Sequence, residues 1–559
     1  MNLDTHSKPY WILLPALVAI IFHLPVLFCD LVWDDEMLVK RNPVLLNHSS
    51  LETIFNHDYA TEFGASPAGY YRPALTLINL AIYKISGASP LAYHFTSLLL
   101  FCFSTVLLTW TLWTLLGKKD RLLPLTAGSI FAAHPARTEV VSFFMSMPDL
   151  LMEIYALYII MILVKTFNQN HSSTKQSVPI VPISVSLLLA FLAGITKESS
   201  FFIIPALGFT ALLYSAAKKQ IISGSIIVII GLATGLALAF TLRIFAGIHQ
   251  QYPSLAYFTA LFNQGSGLAL LAIASVAQNL LMPSDAVFMA ENNAPSSLLA
   301  TILLISLVIT FLLMVRLLIR RGNLFSVLLF AWFGAGTLNV MLILTAGLPY
   351  SDRYLPVAPG IAGICLIFAG AFGIIRNWWP ALNRFACNTR LISLLIAGIV
   401  CIYGTFTFAS SAKCVSSVRF FSFMANENPS LAYPRIALSK IMFNVYGNMD
   451  LAEKYAREAI VLSSDSSESR SLGKLLARKY IYERKYKQAI TSLDWTTEII
   501  TNDAEVLSLK SLAMASAGDT TNALLYIEKA IGLDPNNTQY NSLKQQIIAH
   551  SANSVSAGK

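Results

Sequence analysis

The sequence predicts an all-α membrane protein: a polytopic transmembrane helical bundle of about eleven spans, followed by a short tetratricopeptide-like helical-repeat domain. Three observations lead to this fold class. Hydrophobic residues make up 55% of the 559-residue chain and charged residues only 12%, whereas soluble domains carry roughly 25% charged residues. Apolar stretches long enough to cross a bilayer recur from Tyr10 to Ser411. After Lys413 the sequence is polar and carries a 34-residue periodicity, from Ala489 to Ala523.

Apolar runs of about 20 residues mark the expected spans. These candidates are Tyr10 to Cys29, Leu91 to Leu116, Leu122 to Ala133, Leu151 to Val164, Val178 to Ile195, Ser199 to Ala217, Ile221 to Ala246, Ser297 to Val315, Leu324 to Ala346, Leu355 to Ile375 and Leu391 to Ser411. The first is expected to be retained, because Asp30-Leu31-Val32-Trp33 offers no small-residue cleavage site. Gly265 to Leu281 is also apolar, but a crossing there would place the later arginine-rich loops outside. We therefore expect a re-entrant or membrane-surface helix there.

Short basic loops orient the predicted spans. With the amino terminus inside, the loop cations all fall in the cytoplasm, as the positive-inside rule requires: Lys118, Lys119, Arg121, Lys218, Lys219, Arg316, Arg320, Arg321, Arg376, Arg384 and Arg390. The net charge of +9 therefore indicates membrane lipids as partners and not nucleic acid. The remaining acidic, basic and imidazole groups then gather on the extracytoplasmic face, together with the carboxy-terminal domain.

Four segments follow from these patterns. Residues 1–412 form the membrane domain, with a first outer loop at 30–90, and residues 413–432 are a linker. Residues 433–540 carry about three helix pairs with the spacing of tetratricopeptide repeats, and residues 541–559 are a flexible tail. Small alanines let the paired helices approach closely, and such solenoids usually bind protein segments in a concave groove.

Several common chemistries are not indicated. The six cysteines show no paired or CxxC spacing, so neither a disulfide framework nor a zinc site is supported. No Walker loop, GxGxxG, HExxH or GxSxG element occurs in a suitable context, which argues against nucleotide hydrolysis. The sequence does not specify an oligomeric state.

The strongest candidate site residues directly follow the first span, in Trp33-Asp34-Asp35-Glu36. Like charges packed together raise one another's pKa values, which suits a general base that deprotonates an acceptor hydroxyl. Carboxylate oxygens also suit a hard divalent cation. A solvated acidic loop would have the same sequence, and both interpretations stay open.

Cationic and polar residues follow at the same predicted level. Arg72, in Tyr70-Tyr71-Arg72-Pro73, could fork onto a phosphate, or Tyr71 and its neighbours could be an interfacial anchor. Further candidates end or begin spans: His134, Glu139, Asp149, Lys197, Glu198, Asp352, Arg353 and Tyr354. Charges inside a bundle cost about 2.5–3.5 kcal/mol each, so they are usually paired or functional. Lys197 with Glu198, or Asp352 with Arg353, could simply be ion pairs.

The motifs, taken in order, resemble one known family. Trp33 to Glu36 with Asn42-Pro43 downstream, YYRP, SPLAYH, AAHPARTEVV, the Pro148 to Leu151 run, TKES and SDRYLP are similar to motifs of the transmembrane-and-tetratricopeptide O-mannosyltransferases. The resemblance covers nearly the whole chain and implies the GT-C fold of membrane glycosyltransferases. Such enzymes transfer a sugar from a polyprenyl phosphate to an acceptor at the extracytoplasmic face.

The resemblance also implies roles for residues. Asp34 and Asp35 match the family's first-loop diacid, the first of which typically acts as the base in an inverting reaction. Arg72, Lys197 and Arg353 match basic positions that face the donor phosphate, and Tyr354, the neighbour of Arg353, adds a second phosphate donor. No cofactor is required if these cations neutralise the phosphate charge. The alternative is that Mg²⁺ or Mn²⁺ binds at the acidic run formed by Asp34, Asp35 and Glu36.

This chain departs from the eukaryotic pattern in having about three repeats and in Ser146-Met147-Pro148-Asp149. The acceptor, a protein serine or threonine or a glycan, therefore stays open. The short tail favours a bacterial inner-membrane enzyme with a periplasmic site. Two alternatives remain: a transporter or flippase for lipid-linked sugars, and a non-catalytic membrane-anchored scaffold.

Overall fold

The computed structural model describes residues 9–47, 50–64, 67, 69–115, 121–169, 180–217, 223–248, 324, 327–328, 331–332, 389–427, 429–463, 467–499 and 503–557. Every regular element in these ranges is helical, which confirms the predicted all-α class. The chain divides into two compact units, residues 1–416 and residues 417–559.

The helices of the first unit alternate between long apolar rods and short polar turns of helix. They are α1 Leu14–His23, α2 Asp34–Lys40, α3 Pro43–Leu46, α4 Leu51–Phe55, α5 Pro73–Ser86, α6 Pro90–Leu115, α7 Leu122–Ala133, α8 Thr138–Ser142, α9 Met147–Gln169, α10 Ile180–Gly194, α11 Ser200–Ala217, α12 Ser223–Phe245 and α13 Thr389–Ser411. Short 3-10 turns at Tyr10–Leu13 and Leu24–Phe28 extend α1 at both ends.

Six helical stretches among the described residues are long and apolar enough to cross a membrane: Tyr10–Phe28, Pro90–Thr114, Phe144–Phe167, Ser200–Ala217, Ile226–Phe245 and Ser393–Val415. Leu122–Ala133 and Val181–Gly194 are shorter apolar helices. A helix rises only about 1.5 Å per residue, so neither reaches the roughly 30 Å of a hydrocarbon core. The other predicted spans, the predicted re-entrant segment and the Ser351 to Tyr354 motif fall wholly or mostly outside the described residues.

Long apolar helices pack around α9 in one hydrophobic core with α1, α6 and α7. The contact between α10 and α12 is closer than side chains would allow. A Cβ atom added at Gly235 would lie 2.3 Å from the carbonyl oxygen of Leu187. Glycine therefore lets the two helix backbones touch, as small residues do in membrane bundles.

The segment between the first two candidate spans folds into short helices instead of an open loop. Asn42, Ser50 and Asp58 each accept a backbone amide hydrogen bond at the start of α3, of α4 and of the 3-10 turn Tyr59–Phe63. Such caps satisfy amides that have no partner within a helix. These turns are packed on α5 by buried Leu45 and Ile54, which gives the candidate site a fixed base.

The second unit consists of consecutive helices joined by short turns. They are α14 Ser417–Glu427, α15 Ala432–Asn444, α16 Met449–Leu462, α17 Ser467–Tyr482, α18 Tyr486–Ile499, α19 Ala504–Ser516, α20 Thr520–Leu533 and α21 Thr538–Ala557. The pairs α15 with α16, α17 with α18 and α19 with α20 pack together. Gly447 and Gly518 turn the chain within two pairs at φ values of +63° and +92°, which residues with a Cβ rarely adopt.

The pairs repeat the same internal contacts. In α16, Ala452 is fully buried, and its carbonyl accepts a 2.7 Å hydrogen bond from Ser439 Oγ of α15. In α20, Ala523 is fully buried and accepts the matching 2.7 Å bond from Ser511 Oγ of α19. Small side chains let each helix lie close to its partner, so this unit is a region of packed helical pairs.

Two further helices lie in segments for which the sequence predicted a linker and a tail. Helix α14 occupies most of the stretch expected to be a linker, and α21 extends through the stretch expected to be a flexible tail. The reason for the second is apolar burial, because Ile547 of α21 packs with Leu507 and Ile527. This contact depends on the neighbouring helices, so it could not be predicted from the polar local sequence of α21.

Candidate active site

A strained turn positions the acidic run after the first span. Trp33 adopts φ 58° and ψ −128°, a conformation that costs roughly 1–3 kcal/mol for a residue with a side chain. The turn is closed by a 3.3 Å hydrogen bond from the Asp35 amide to the Val32 carbonyl. The Trp33 ring packs edge-on against Phe143, with 6.0 Å between centroids. Helix α2 therefore begins at Asp34 in a fixed direction.

The two neighbouring carboxylates have different surroundings. Asp35 is fully buried, and its Oδ2 and Oδ1 accept the backbone amides of Phe144 at 2.7 Å and Met145 at 2.8 Å. Burial raises the pKa of Asp35 to about 7, although the two amides act in the opposite direction. Asp34 is only partly buried. Glu36 forms an ion pair with Arg41 at 3.2 Å.

Arg72 binds a carboxylate from the turn between α10 and α11. Its Nε and Nη2 donate to Glu198 Oε2 at 3.0 and 2.8 Å, and the Tyr71 amide donates to Glu198 Oε1 at 3.2 Å. The guanidinium also lies over the rings of Tyr70 and Tyr59. Burial raises the pKa of Glu198, but the charge and hydrogen bonds of Arg72 outweigh it and hold that pKa below its usual value.

Lys197 forms its ion pair with Asp149 at the start of α9, with 2.5 Å between Nζ and Oδ1. The alternative in which Lys197 pairs with its neighbour Glu198 is therefore wrong. Adjacent side chains on this turn face different elements, so Lys197 meets α9 whereas Glu198 meets the segment before α5. The turn thereby fastens two distant parts of the chain to each other.

Tyr59 lies at the centre of this region and is almost fully buried. Burial raises the pKa of its phenol, and the charges of Glu62, Arg72, Asp35 and Asp34 also act on it. Helix α2, which begins with the acidic residues, and Arg72 therefore both lie against the turn that holds Tyr59. Sequence spacing alone could not show this proximity.

Two of the remaining predicted residues, His134 and Glu139, lie in the described part of the chain. His134 is buried with its ring edge-on to Tyr403 at 5.0 Å, and burial lowers its pKa to about 4. An imidazole with such a pKa is neutral near pH 7. Glu139 lies in the short helix α8 and is partly buried. Asp352, Arg353 and Tyr354 lie outside the described residues, so their placement stays a prediction.

One polar centre was missed by the sequence analysis. Glu62 is fully buried; Asn42 Nδ2 donates to its Oε2 at 2.6 Å, and His57 Nε2 donates to its Oε1 at 2.7 Å. Thr76 Oγ1 also donates to Oε1. The carboxylate thus joins α3, α4 and α5. Only Asn42-Pro43 gave a signal, and it marked a helix start and not a partner.

Two buried arginines were also missed. Arg137 is fully buried and pairs with Glu153 of α9 at 2.5 Å. Arg243, near the end of α12, donates through Nη2 to the Gly69 carbonyl at 2.5 Å. A lone charge within an apolar run is the signal that could have drawn attention to Arg243.

No group of three or more His, Cys, Asp and Glu residues that could hold a metal ion occurs within the described ranges. Both Asp35 oxygens accept backbone amides, and Glu36 pairs with Arg41. A divalent ion at the acidic run would have to compete with these partners.

The fold and the site define an integral membrane protein, all-helical, with several candidate spans and with charged residues paired across distant segments. No family model matches the chain. It is 30% identical over 135 residues to the protein O-mannosyl-transferase Tmtc1 of Drosophila melanogaster. It is 26% identical over 224 residues to the protein O-mannosyl-transferase F38B6.6 of Caenorhabditis elegans, and 32% identical over 134 residues to the protein O-mannosyl-transferase TMTC2 of Mus musculus.

These similarities cover parts of each protein. They span 24%, 36% and 23% of this chain and 16%, 32% and 16% of the three curated relatives, respectively. They establish distant homology to the transmembrane-and-tetratricopeptide protein O-mannosyltransferases, a GT-C-type family of membrane glycosyltransferases. The resemblance predicted from the ordered motifs is thereby confirmed.

Proposed function

We propose that the chain is a membrane glycosyltransferase that moves a sugar from a polyprenyl-phosphate donor to an acceptor hydroxyl at the extracytoplasmic face. One observation carries this proposal. Helix α2, which begins with the partly exposed Asp34 and the buried Asp35, packs against the turn that holds Tyr59, and the Arg72 guanidinium lies 5.3 Å from the centre of the Tyr59 ring. A base and a cation in one region suit transfer from a phosphate leaving group. Distant homology to protein O-mannosyltransferases supports glycosyl transfer as the reaction.

The proposed reaction inverts the anomeric carbon. The acceptor oxygen bonds to that carbon while the bond from the carbon to the phosphate oxygen breaks. Asp34 takes the acceptor proton, and polyprenyl phosphate leaves with the bonding electrons. Asp35 is less suited to this step because both of its oxygens accept backbone amides. We therefore assign Asp34 as the base and Asp35 as the residue that holds its turn.

Arg72 and Lys197 are the proposed donor-phosphate ligands, with Arg353 and Tyr354 completing the set. Arg72 uses Nε and Nη2 for Glu198, which leaves the Nη1 hydrogens for a phosphate oxygen. The pairs with Glu198 and Asp149 fix the two cations before substrate arrives. Cations held in place in this way stabilise a leaving group at little reorganisation cost, so no metal cofactor is required.

The finer architecture belongs to the same proposal. About eleven spans would place the site and the carboxy-terminal pairs on the periplasmic side of a bacterial inner membrane. The helical pairs, whose small buried alanines match tetratricopeptide repeats, would hold the acceptor, either a protein or a glycan. A chain lacking residues 417–559 should bind the donor lipid and fail to modify the natural acceptor, as judged by intact-mass analysis of acceptors.

The experiment that tests the function compares two aspartates of one segment. Asp34→Asn should lower transfer from labelled polyprenyl-phosphate mannose by about 10²–10⁴, the usual cost of removing a general base, and should keep donor binding. Asp30→Asn is the control, because the Asp30 side chain is 44% exposed and forms an ion pair with Lys40 at 3.1 Å. Mass spectrometry of outer-face proteins and glycans should show one sugar mass missing in cells without the chain.

Two results would contradict the proposal. If Asp34→Asn transfers the sugar as fast as the wild type, Asp34 is not the general base. Unchanged glycans and proteins in cells without the chain would favour a lipid-linked sugar transporter or an anchored scaffold.

A further inference from the structure

The hydroxyl of Tyr71 is a buried donor that finds no acceptor within the described part of the chain. The residue is 2% exposed, and its Oη has no hydrogen-bond partner there. An unsatisfied buried polar group destabilises the fold, and native structures keep few such groups without a reason. A ligand that supplies the missing acceptor is one such reason.

The backbone around Tyr71 is held by hydrogen bonds, although the Tyr71 hydroxyl has no partner. The Gly69 amide donates to Asp58 Oδ2 at 2.5 Å, and the Tyr70 carbonyl accepts the Tyr59 amide at 2.8 Å. The Tyr71 amide donates to Glu198 Oε1. Polar backbone groups on both sides of the ring are therefore engaged. The Tyr71 side chain is held in place with its donor unused.

Arg243 donates hydrogen bonds to two backbone segments near Tyr71, one at Gly69 and one at Ile248. Its Nη2 donates to the Gly69 carbonyl at 2.5 Å, and its Nε donates to the Ile248 carbonyl at 3.3 Å. The Tyr71 ring packs in one apolar cluster with Ile248 and with Ile195. Arg243 is itself 3% exposed. A buried guanidinium therefore links the chain before Tyr71 to Ile248, a member of the same apolar cluster as Tyr71.

The chemistry around Tyr71 favours an anionic acceptor. Tyr71 shares its apolar cluster with Ile195, which immediately precedes the turn that carries Glu198, the partner of Arg72. Arginine side chains donate hydrogen bonds and cannot accept them, so neither Arg72 nor Arg243 can accept the proton of the phenol. A phosphate oxygen accepts only, and it also complements the guanidinium charge.

We propose that the Tyr71 hydroxyl donates to the phosphate of the lipid donor and that Arg243 is the positioning residue that holds Tyr71 there. This inference rests on the proposed function, because it names a further ligand and its support within that donor site. Tyr71 contacts the substrate, whereas Arg243 acts through the backbone at Gly69 and Ile248.

The test measures binding of farnesyl phosphate and of farnesol to the purified full-length chain in detergent by calorimetry. The ratio of the two affinities reports phosphate recognition and needs neither the sugar nor the acceptor. Tyr71→Phe removes one oxygen and should reduce that ratio about tenfold, equivalent to about 1.4 kcal/mol. The unliganded variant should melt no earlier than the wild type, since no bond is lost. Tyr93→Phe is the matched control, because Tyr93 has an equally buried phenol that lies among apolar side chains.

Arg243 is tested by Arg243→Gln and by Arg243→Lys, which keeps the charge but cannot hold both carbonyls. Both variants should reduce the affinity ratio, with lysine intermediate. Adding Tyr71→Phe to Arg243→Gln should cause no further loss, because residues that act as one unit are not additive. A purely structural Arg243 would weaken the binding of both lipids equally.

Each alternative outcome is decisive. An unchanged ratio in Tyr71→Phe overturns the phosphate contact. If Arg243→Lys keeps the wild-type ratio of the two affinities, Arg243 does not position Tyr71. The same conclusion follows if the losses caused by Arg243→Gln and Tyr71→Phe add up fully in the double variant. If the wild type does not distinguish farnesyl phosphate from farnesol, the donor class in the proposed function fails, and this inference fails with it.

Discussion

The Asp35 carboxylate accepts the backbone amide of Phe144 at 2.7 Å across 109 positions of the chain. The other Asp35 oxygen accepts the Met145 amide, so the turn after the first span is fastened to the connection that precedes α9. That connection leads directly to Asp149, the partner of Lys197. Asp35 therefore links the proposed base to the proposed donor site through backbone hydrogen bonds.

Asp35 should make stability depend on pH. Because burial raises its pKa to about 7, the folded chain holds a proton between about pH 4 and pH 7 that the unfolded chain has released. The free energy of unfolding should therefore fall as the pH rises through this window. Thermal unfolding of the wild type and Asp35→Asn in detergent measures the effect, with Asp30→Asn as control. If the melting temperatures of the wild type and Asp35→Asn differ by the same amount at every pH, this assignment is contradicted.

Glu62→Gln should loosen the segment between the first two candidate spans. Both Glu62 oxygens accept from donors, Asn42 on one side and His57 with Thr76 on the other. Glutamine carries no charge and has one acceptor oxygen instead of two, so the charge-assisted hydrogen bonds to Glu62 are weakened or lost, and we expect a loss of about 1–3 kcal/mol. Hydrogen exchange of residues 42–63 should become faster. Glu52→Gln, at an exposed glutamate of the same segment, should leave exchange unchanged; equal protection in both variants would argue against this role for Glu62.

The ion pair between Arg137 and Glu153 should show a strong asymmetry between single and double substitutions. Both side chains are at most 1% exposed, and removing one partner of a buried pair costs about 3–5 kcal/mol because the other charge is left alone. Arg137→Met should therefore destabilise the membrane unit strongly. Arg137→Met with Glu153→Met should recover most of the loss in denaturant titrations. A double variant as unstable as the single one would show that packing, and not the lone charge, sets the cost.

Orientation can be tested at two exposed positions, Glu52 and Arg121. In a chain without other cysteines, Glu52→Cys should react with a membrane-impermeant thiol reagent added to intact cells, because the basic loops are expected inside. Arg121→Cys should react only after permeabilisation. The reverse pattern would invert the membrane orientation and move the proposed site to the cytoplasm.

The local sequence was enough to predict the helical class and the long membrane helices. Hydropathy and charge act over short stretches, so the apolar runs at Tyr10–Phe28 and Pro90–Thr114 can be recognised without their neighbours. The ordered motifs likewise indicated the family, because homology is recorded in residue order. Helix α21 shows the limit, since it is ordered by Ile547 packing on residues of α19 and α20.

Partners in the candidate site were decided only by the tertiary structure. The sequence named Arg72, Lys197, Glu198 and Asp149 but could not pair them, because Arg72 meets Glu198 across 126 positions and Lys197 meets Asp149 across 48. It also gave Asp34 and Asp35 similar surroundings, although one is partly exposed and the other fully buried. Ionic and hydrogen-bond energies depend on distance and burial in space, and these are set by how the helices pack and not by the order of residues along the chain.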